Sequence, residues 1–578
     1  MTVAMTTGDE AMALIESQPF AREWAALLEA CPWATAFQGP AFCGIWYRIY
    51  RERFDPVVLY SRADDGTLSG LLPLAVSRET GRVVHAGAHQ AEYHTWLARP
   101  AEGDAFIEAA IARMRERFPR PALVFRYLPP GAPLGWTGAS RPLGGLCKVV
   151  AHRRPLMRLG DGSAATASLR KKSNRSRMGR LAHLGELQFE RLDGRAALEG
   201  VIGPVVAMYD LRQGAIHDVL PFRQDPLKQP FHLAMAETPG LLHMTVWKAG
   251  DCVLSCHLGV RTHDTVHLGI VTHSPLEARH SPGKFHMLLL AQALAAAGVA
   301  TIDLTPGGDP YKDRFATDFD EVHEVTVFAS RSQRLGDRLA EGAAGQAKRL
   351  LRFAGLEPAR VKRLGARLRR GGLHRVPLSA ARRLAQQIYH RTEFRVYAFD
   401  VRGGRTPEPA YAMARDRIED LLAYRPAEAW QTRQSFLSRA LARLEAGAHV
   451  YTWAEGGRLL YRGWLIPEES DAFFPEVHQH FTFPPRSACL HDSYTMPDAR
   501  GRGLYRAGLS AALCDMAAEE GVVRVCGGVL ADNVPLRHVI ETLGFTYLGS
   551  LYEKVVFGRA VRWRDEALAG AGDCEEDA

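Results

Sequence analysis

No two of the nine cysteines form a CxxC pair, and their number is odd, so neither a disulfide framework nor a cysteine zinc site is indicated. Cys252 and Cys256, four apart in a segment that reads as strand, are read as two buried small hydrophobes. The 22 histidines contain no HExxH spacing, and no metal is expected. No apolar run reaches the ~20 residues of a membrane-spanning helix; Met287–Ala300 is the longest, and Gln292 interrupts it. The N-terminus lacks a basic start followed by an apolar block, and Asp9 and Glu10 come early, so no secretory signal is legible and a cytoplasmic chain is expected.

What is present is 578 residues of ordinary globular composition, 47% hydrophobic and 24% charged. That length exceeds the ~250–300 residues at which one core stops growing, so two to four domains are expected. The net charge of +8 is concentrated in one segment. Residues 331–391 hold 16 Lys and Arg against 3 Asp and Glu, leaving 56 against 61 for the rest. This Arg-rich, helix-forming stretch is broken at Pro358 and at Gly371–Gly372, which suits a helical connector. Aromatics for base stacking are nearly absent, Phe353 being isolated, so a solvated linker is favoured over peripheral membrane contact, and nucleic acid is disfavoured.

Three stretches read as strand, Gly-containing turn and strand: Val57–Leu74, Leu242–Val260 and Val450–Leu465. After the second come a strand (Thr265–Thr272), a loop (Ser274–Gly283), a helix (Lys284–Ala297) and a strand (Ala300–Leu304). The third is followed by the same order: strand Ala488–Thr495, loop Pro497–Gly503, helix Leu504–Glu520 and strand Val522–Leu530. The first has a fainter echo, a strand Val83–Ala98, a helix Asp104–Phe118 and a strand Ala122–Tyr127.

A glycine loop between a strand and a helix aims unpaired N–H groups and the positive end of the helix dipole at one point, which suits phosphate. The loop Arg500-Gly501-Arg502-Gly503-Leu504-Tyr505 has two glycines for close approach and two arginines for charge. It is neither a Walker loop, since Gly-Lys-Ser/Thr is missing, nor a Rossmann fingerprint.

The pattern resembles the Gln/Arg-x-x-Gly-x-Gly/Ala signature of GNAT N-acetyltransferases, with Tyr505 in place of the usual small residue. Asp532-Asn533-Val534-Pro535 followed by Leu543-Gly544-Phe545 resembles the closing helix of that family, over roughly Glu393 to Phe557. The resemblance implies acetyl-CoA, or another acyl-CoA, as co-substrate, held by Thr495, Arg500, Gly501, Arg502, Gly503, Leu504, Tyr505 and Asn533. Residues 15–330 resemble the CelD/BcsL acetyltransferases of cellulose and exopolysaccharide biosynthesis, themselves similar to Fem-type aminoacyl transferases. The stretches that carry this are Leu71-Leu72-Pro73-Leu74, Leu169-Arg170-Lys171-Lys172, Ser281-Pro282-Gly283-Lys284 and Tyr311-Lys312-Asp313-Arg314-Phe315. Arg279, Gly283 and Lys284 then stand at a second phosphate loop, although Pro282 removes one N–H donor.

These readings imply an α/β chain of three GNAT-like mixed-sheet lobes, two packed N-terminally and one C-terminal. Lobes are expected at 1–150, 151–330 and 392–560, with the linker at 331–391 and an acidic tail at 561–578. Acyl transfer needs a base, an oxyanion donor near Thr495 and an acid. His491 and Asp492 alternate along a strand, so one of them faces the cleft, and Asp492 is preferred as base. The family's tyrosine acid falls on Ile540, leaving Tyr552 as substitute. Lys312 is read either as a cleft lysine near acyl donor or substrate phosphate or as an exposed lysine opening a short helix. The function expected is acyl transfer to a small-molecule or saccharide acceptor in envelope or exopolysaccharide assembly. Fem-type transfer from charged tRNA and a non-catalytic CoA-binding scaffold are the alternatives.

Overall fold

A computed structural model describes residues 1–119, 122–353, 389–403, 406–426, 431–468 and 471–565. Most of the expected linker, 354–388, and the acidic tail from 566 lie outside the described residues. The chain divides into two compact units. The N-terminal unit comprises Met1–Tyr209, Pro221–Ser274 and the stretch from His280; the C-terminal unit comprises Asp210–Leu220, Pro275–Arg279 and the rest.

The N-terminal unit holds two sheets. Ala4–Thr7, Phe54–Arg62, Leu68–Ser77 and Val83–His85 lie side by side, and Leu97–Ala98 pairs with Leu68–Ser77. The second sheet has nine strands. At one end Leu123–Leu128 pairs with Asp318–Val327, which pairs with Cys147–Arg158. At the other, Leu187–Arg191, Leu242–Ala249 and Cys252–Thr262 form an antiparallel run. One buried cluster joins the two sheets, since Trp46, Leu71, Trp96 and Phe106 share it with Phe125, Val322 and Val325. The stretch expected as one strand over Val83–Ala98 is two short strands with an eleven-residue loop, 86–96, between them. Gly87, at φ +89°, opens that loop.

The C-terminal unit is one eight-stranded sheet with a two-stranded ribbon, Asp471–Phe474 with Gln479–Thr482. Its hairpin His449–Glu455/Arg458–Ile466 turns on Gly456 and Gly457, both at positive φ, as a tight two-residue turn requires. The helix Leu504–Ala518 buries Leu509, Leu513 and Met516 on the sheet, the stripe its sequence spacing predicts.

The fold class is therefore mixed α/β, built on several mixed sheets. Among the described residues no helix is long and apolar enough to cross a membrane.

Candidate functional sites at two forked sheets

Each unit contains a parallel strand pair that forks. In the C-terminal unit Ser487–Thr495 pairs with Arg524–Leu530 only from Ser487 to Cys489. Beyond Cys489 the strands part, and a cavity of about 270 Å³ opens between them, lined by Leu490–Ser493, Gly527–Leu530, Tyr397, Tyr505 and Asn533, among others. A bulge drives the parting. Asp492 and Ser493 together face Gly463 of the neighbouring strand, and Asp492 sits at φ +40°. The bulge overturns the expected alternation, because His491 and Asp492 both line the cavity.

Asp492 is held by cations. It accepts from Arg443 at 2.7 Å and from the buried Arg462 at 3.4 Å, which suits an electrostatic anchor more than a proton acceptor. Burial, with Arg443 beside it, pushes the His491 imidazole down, so it is neutral at physiological pH. Tyr552 stacks on Trp563 with centroids 5.1 Å apart, outside the cavity lining. Thr495 is also outside that lining, its carbonyl accepting from Arg500 Nε at 3.4 Å.

The glycine loop has the expected backbone. Gly501 and Gly503 lie at φ +78° and +77°, and Gly503 caps the helix that Leu504 begins. Its charge is partly spent, since Arg502 pairs with Glu455 at 2.9 Å. Asn533 caps the helix Val534–Thr542 by accepting from Leu536 N–H. Tyr505 lines the cavity, with burial raising its hydroxyl pKa.

In the N-terminal unit Thr265–His267 runs parallel to Thr301–Asp303, in register from Thr265↔Thr301 to His267↔Asp303. There the sheet forks, and Ile270–His273 continues on Cys252–Thr262 alone. Gly269 makes the jog at φ +54°, where an added Cβ would lie 2.3 Å from the Leu258 carbonyl oxygen. Gly269→Ala is expected to cost about 2–4 kcal/mol, the left-handed backbone contributing about 1–2 and the clash the rest. A thermal melt within a degree of the parent's would reject that role for Gly269.

After the fork comes the helix Pro282–Ala296, capped by Ser281 at φ +61°. Gly283 lets its first turn lie against the strand, since a Cβ there would meet His273 Nδ1 at 2.8 Å. Lys284 Nζ donates to Asn174 at 2.8 Å and Arg177 donates to the Ser281 hydroxyl at 3.0 Å. Burial, then Arg177 and Lys171, push the Lys284 ammonium below its usual range. Among the described residues no ion pair engages Lys171, Arg177 or Lys284, so this helix start carries uncompensated positive charge. Arg279, expected beside Gly283, belongs to the C-terminal unit.

At the fork itself lies a buried polar network that the sequence reading missed. Asp303, fully buried, accepts from Tyr93 Oη at 2.6 Å, His267 Nδ1 at 3.1 Å, Arg154 at 3.3 Å and Thr305 N–H at 2.8 Å. Burial pushes its carboxyl up, but His267, Arg154 and Tyr93 outweigh that and hold it below the usual range. Lys312 is neither exposed nor aimed at an open cleft. It is 7% exposed, and its Nζ donates to the Thr305 carbonyl at 3.2 Å and hydroxyl at 3.1 Å, with Asp309 at 3.6 Å.

The half-buried Glu92 precedes Tyr93 in the 86–96 loop. Tyr93's carbonyl accepts from Gln38 and its hydroxyl reaches Asp303, so the loop is pinned to the fork.

Among the described residues no group of three or more His, Cys, Asp or Glu is placed to hold a metal ion.

A family model described as an acetyltransferase (GNAT) domain matches residues 168–313, which span the N-terminal unit's fork and its helix. That stretch of the chain is similar to a GNAT domain. No curated protein matches. Among solved structures, the C-terminal domain (DUF2156) of a putative lysylphosphatidylglycerol synthetase from Agrobacterium fabrum is 10% identical, with a TM-score of 0.34 over 57% of this chain and 95% of that one. The structure of FemX is 11% identical, with a TM-score of 0.36 over 53% and 96%. A tandem GNAT protein from the clavulanic acid biosynthesis pathway is 16% identical, with a TM-score of 0.21 over 66% and 99%.

Proposed function

We propose that the protein is an acyltransferase that takes its acyl group from an acyl-CoA thioester, most simply acetyl-CoA, bound at the fork of the N-terminal unit. The observation that carries this reading is the start of the helix Pro282–Ala296. Lys171, Arg177 and Lys284 gather there without a carboxylate partner among the described residues, where the Gly283 N–H and the helix dipole also favour an anion. A diphosphate at that point would lay the rest of the carrier along the gap between Ile270–His273 and Thr301–Asp303. The GNAT match over the same residues supports the reaction class.

In this geometry the chain's own residues divide the work. The cations and the Gly283 amide bind the carrier, and the opened strand edge offers backbone N–H groups to the thioester oxygen. The acceptor is a hydroxyl or amine of a small molecule or saccharide, and envelope or exopolysaccharide assembly is the setting the sequence resemblance implies. Peripheral contact with an anionic membrane surface belongs to the same reading. The helix that opens the basic segment exposes Leu335 and Leu339 one turn apart.

The test is isothermal titration of the full chain with acetyl-CoA. The double variant Arg177→Glu, Lys284→Glu should weaken binding about 10- to 100-fold, the worth of one or two charge-assisted contacts. A parent protein that takes up no acetyl-CoA at millimolar concentration would reject the proposal. The cavity of about 270 Å³ lined by Tyr505 and Leu509, on the helix that Gly503 caps, favours a second reading, with the carrier in the C-terminal unit. Binding that survives the double variant but is lost in Gly503→Glu would select it.

A further inference from the structure

We infer that Glu92, delivered to the fork by the 86–96 loop of the neighbouring sheet, is the general base of the acyl transfer. The inference rests on the reading above and assigns its proton acceptor.

It follows from what five residues around the fork are already committed to. Asp303 has four donors on its two oxygens. His267 is committed at both nitrogens, Nδ1 to Asp303 and Nε2 to the Thr262 hydroxyl at 3.1 Å. Tyr93 spends its hydroxyl on Asp303. Lys312 is turned onto Thr305 and Asp309. Arg154 is held by Asp303 and Asp320. Asp303 and Tyr93 are fully buried, so the lone pairs they keep meet no substrate, and the cations Lys312 and Arg154 have none to offer.

Glu92 differs. Among the described residues no hydrogen bond reaches its carboxyl, and it is half-buried where Tyr93, His267, Asp303 and Lys312 are buried. The charged and titratable groups that act on it come from four elements: His267 and Asp303 on the two fork strands, Arg126 on Leu123–Leu128 and Lys312 on the helix Pro310–Phe315. Burial raises its carboxyl above the ordinary glutamate range, with His267 pulling down and Asp303 pushing up. A carboxylate of that kind takes a proton near neutrality better than an exposed one.

The step balances without any other reactant. Glu92 takes the proton of the acceptor O–H or N–H as its oxygen or nitrogen bonds to the thioester carbon. The carbon–sulfur bond then breaks, the thiolate leaves with the electron pair and is protonated from solvent, and Glu92 returns its proton to solvent.

Water can serve as acceptor, so the test needs no knowledge of the natural one. Full-length parent, Glu92→Gln and Glu92→Asp would be mixed with acetyl-CoA, alone and with glucosamine, and followed for CoA release against pH. Titration of acetyl-CoA binding and near-ultraviolet circular dichroism would be run alongside. Glu92→Gln is expected to bind acetyl-CoA within threefold of the parent and to release CoA at least about 100-fold more slowly. The acidic limb of the parent's rate profile should vanish in Glu92→Gln and reappear, shifted, in Glu92→Asp. Glu92→Gln turnover within threefold of the parent overturns the base role, and so does a parent that binds acetyl-CoA but releases CoA no faster than buffer. A parent that does not bind acetyl-CoA is a different failure, since it removes the acyl-CoA reading and the base with it.

Discussion

Acidification from pH 7 to pH 5 is expected to unfold the N-terminal unit, well before any carboxylate would be expected to fail. Burial, with nearby cations or histidines in all four, lowers His94 and His243 to about 4 and His232 and His286 to about 3. His85 and His257 are also held well below the usual range by burial. In the unfolded chain these imidazoles take up protons as the pH drops through about 6.5, while in the folded unit they stay neutral. The unfolded state then binds more protons, so stability falls with falling pH.

Each such imidazole contributes about 1.4 kcal/mol per pH unit between the two pKa values, so the four with stated values contribute on the order of 5 kcal/mol per unit. Glu92, raised in the fold, works in the opposite direction for one group. Domains carry about 5–15 kcal/mol in total, so one to two pH units suffice. Calorimetry at pH 7.5, 6.5 and 5.5 should show the unit's transition moving down steeply, and His286→Gln should reduce the slope by about one proton. A transition that holds its temperature across that range would mean the imidazoles protonate without unfolding.

The elements on which the reading of the sequence rested were those whose residues act locally. The hairpin turns at Gly66, Gly250 and Gly456-Gly457 all take positive φ, which glycine signals through its own chemistry. The order of strand, loop, helix and strand was legible twice because a stripe such as Leu509, Leu513 and Met516 follows helical period. The site was less legible because it depends on which strands meet. Val83–Ala98 looks like one strand by its apolar content, yet the loop within it supplies Glu92 and Tyr93, about 210 residues from Asp303 in sequence. The bulge at Asp492 could not be read either, since strand alternation carries no mark of an extra residue until the partner Gly463 is known. Lys312 was drawn toward a catalytic role by its neighbours in sequence, while Thr305, at φ +60°, turns the chain so that the ammonium is tied to its own loop.

Asp303→Ala is expected to cost the N-terminal unit about 3–5 kcal/mol, the range for removing one partner from a buried charged network. The carboxylate is fully buried and satisfies four donors from four segments of chain: Tyr93 in the loop, Arg154, His267 and the backbone at Thr305. Without it Tyr93 Oη, His267 Nδ1 and Thr305 N–H lose their acceptor together where water does not easily replace it. Arg154 keeps Asp320 at 2.5 Å and is the least affected. Asp303→Asn preserves the acceptor for Thr305 but turns an amide toward His267 Nδ1–H, so it should fall between parent and alanine. Asp320→Ala, which removes a carboxylate 31% exposed, should cost no more than about 1 kcal/mol. The ordering, read from urea or thermal unfolding, is the check, and Asp303→Ala within 1 kcal/mol of the parent would sink it. The same variant should separate fold from function. Tyr93–Asp303 ties the Glu92 loop to the fork, so Asp303→Asn should keep acetyl-CoA binding at Lys284 and Arg177 while slowing CoA release through a misplaced Glu92.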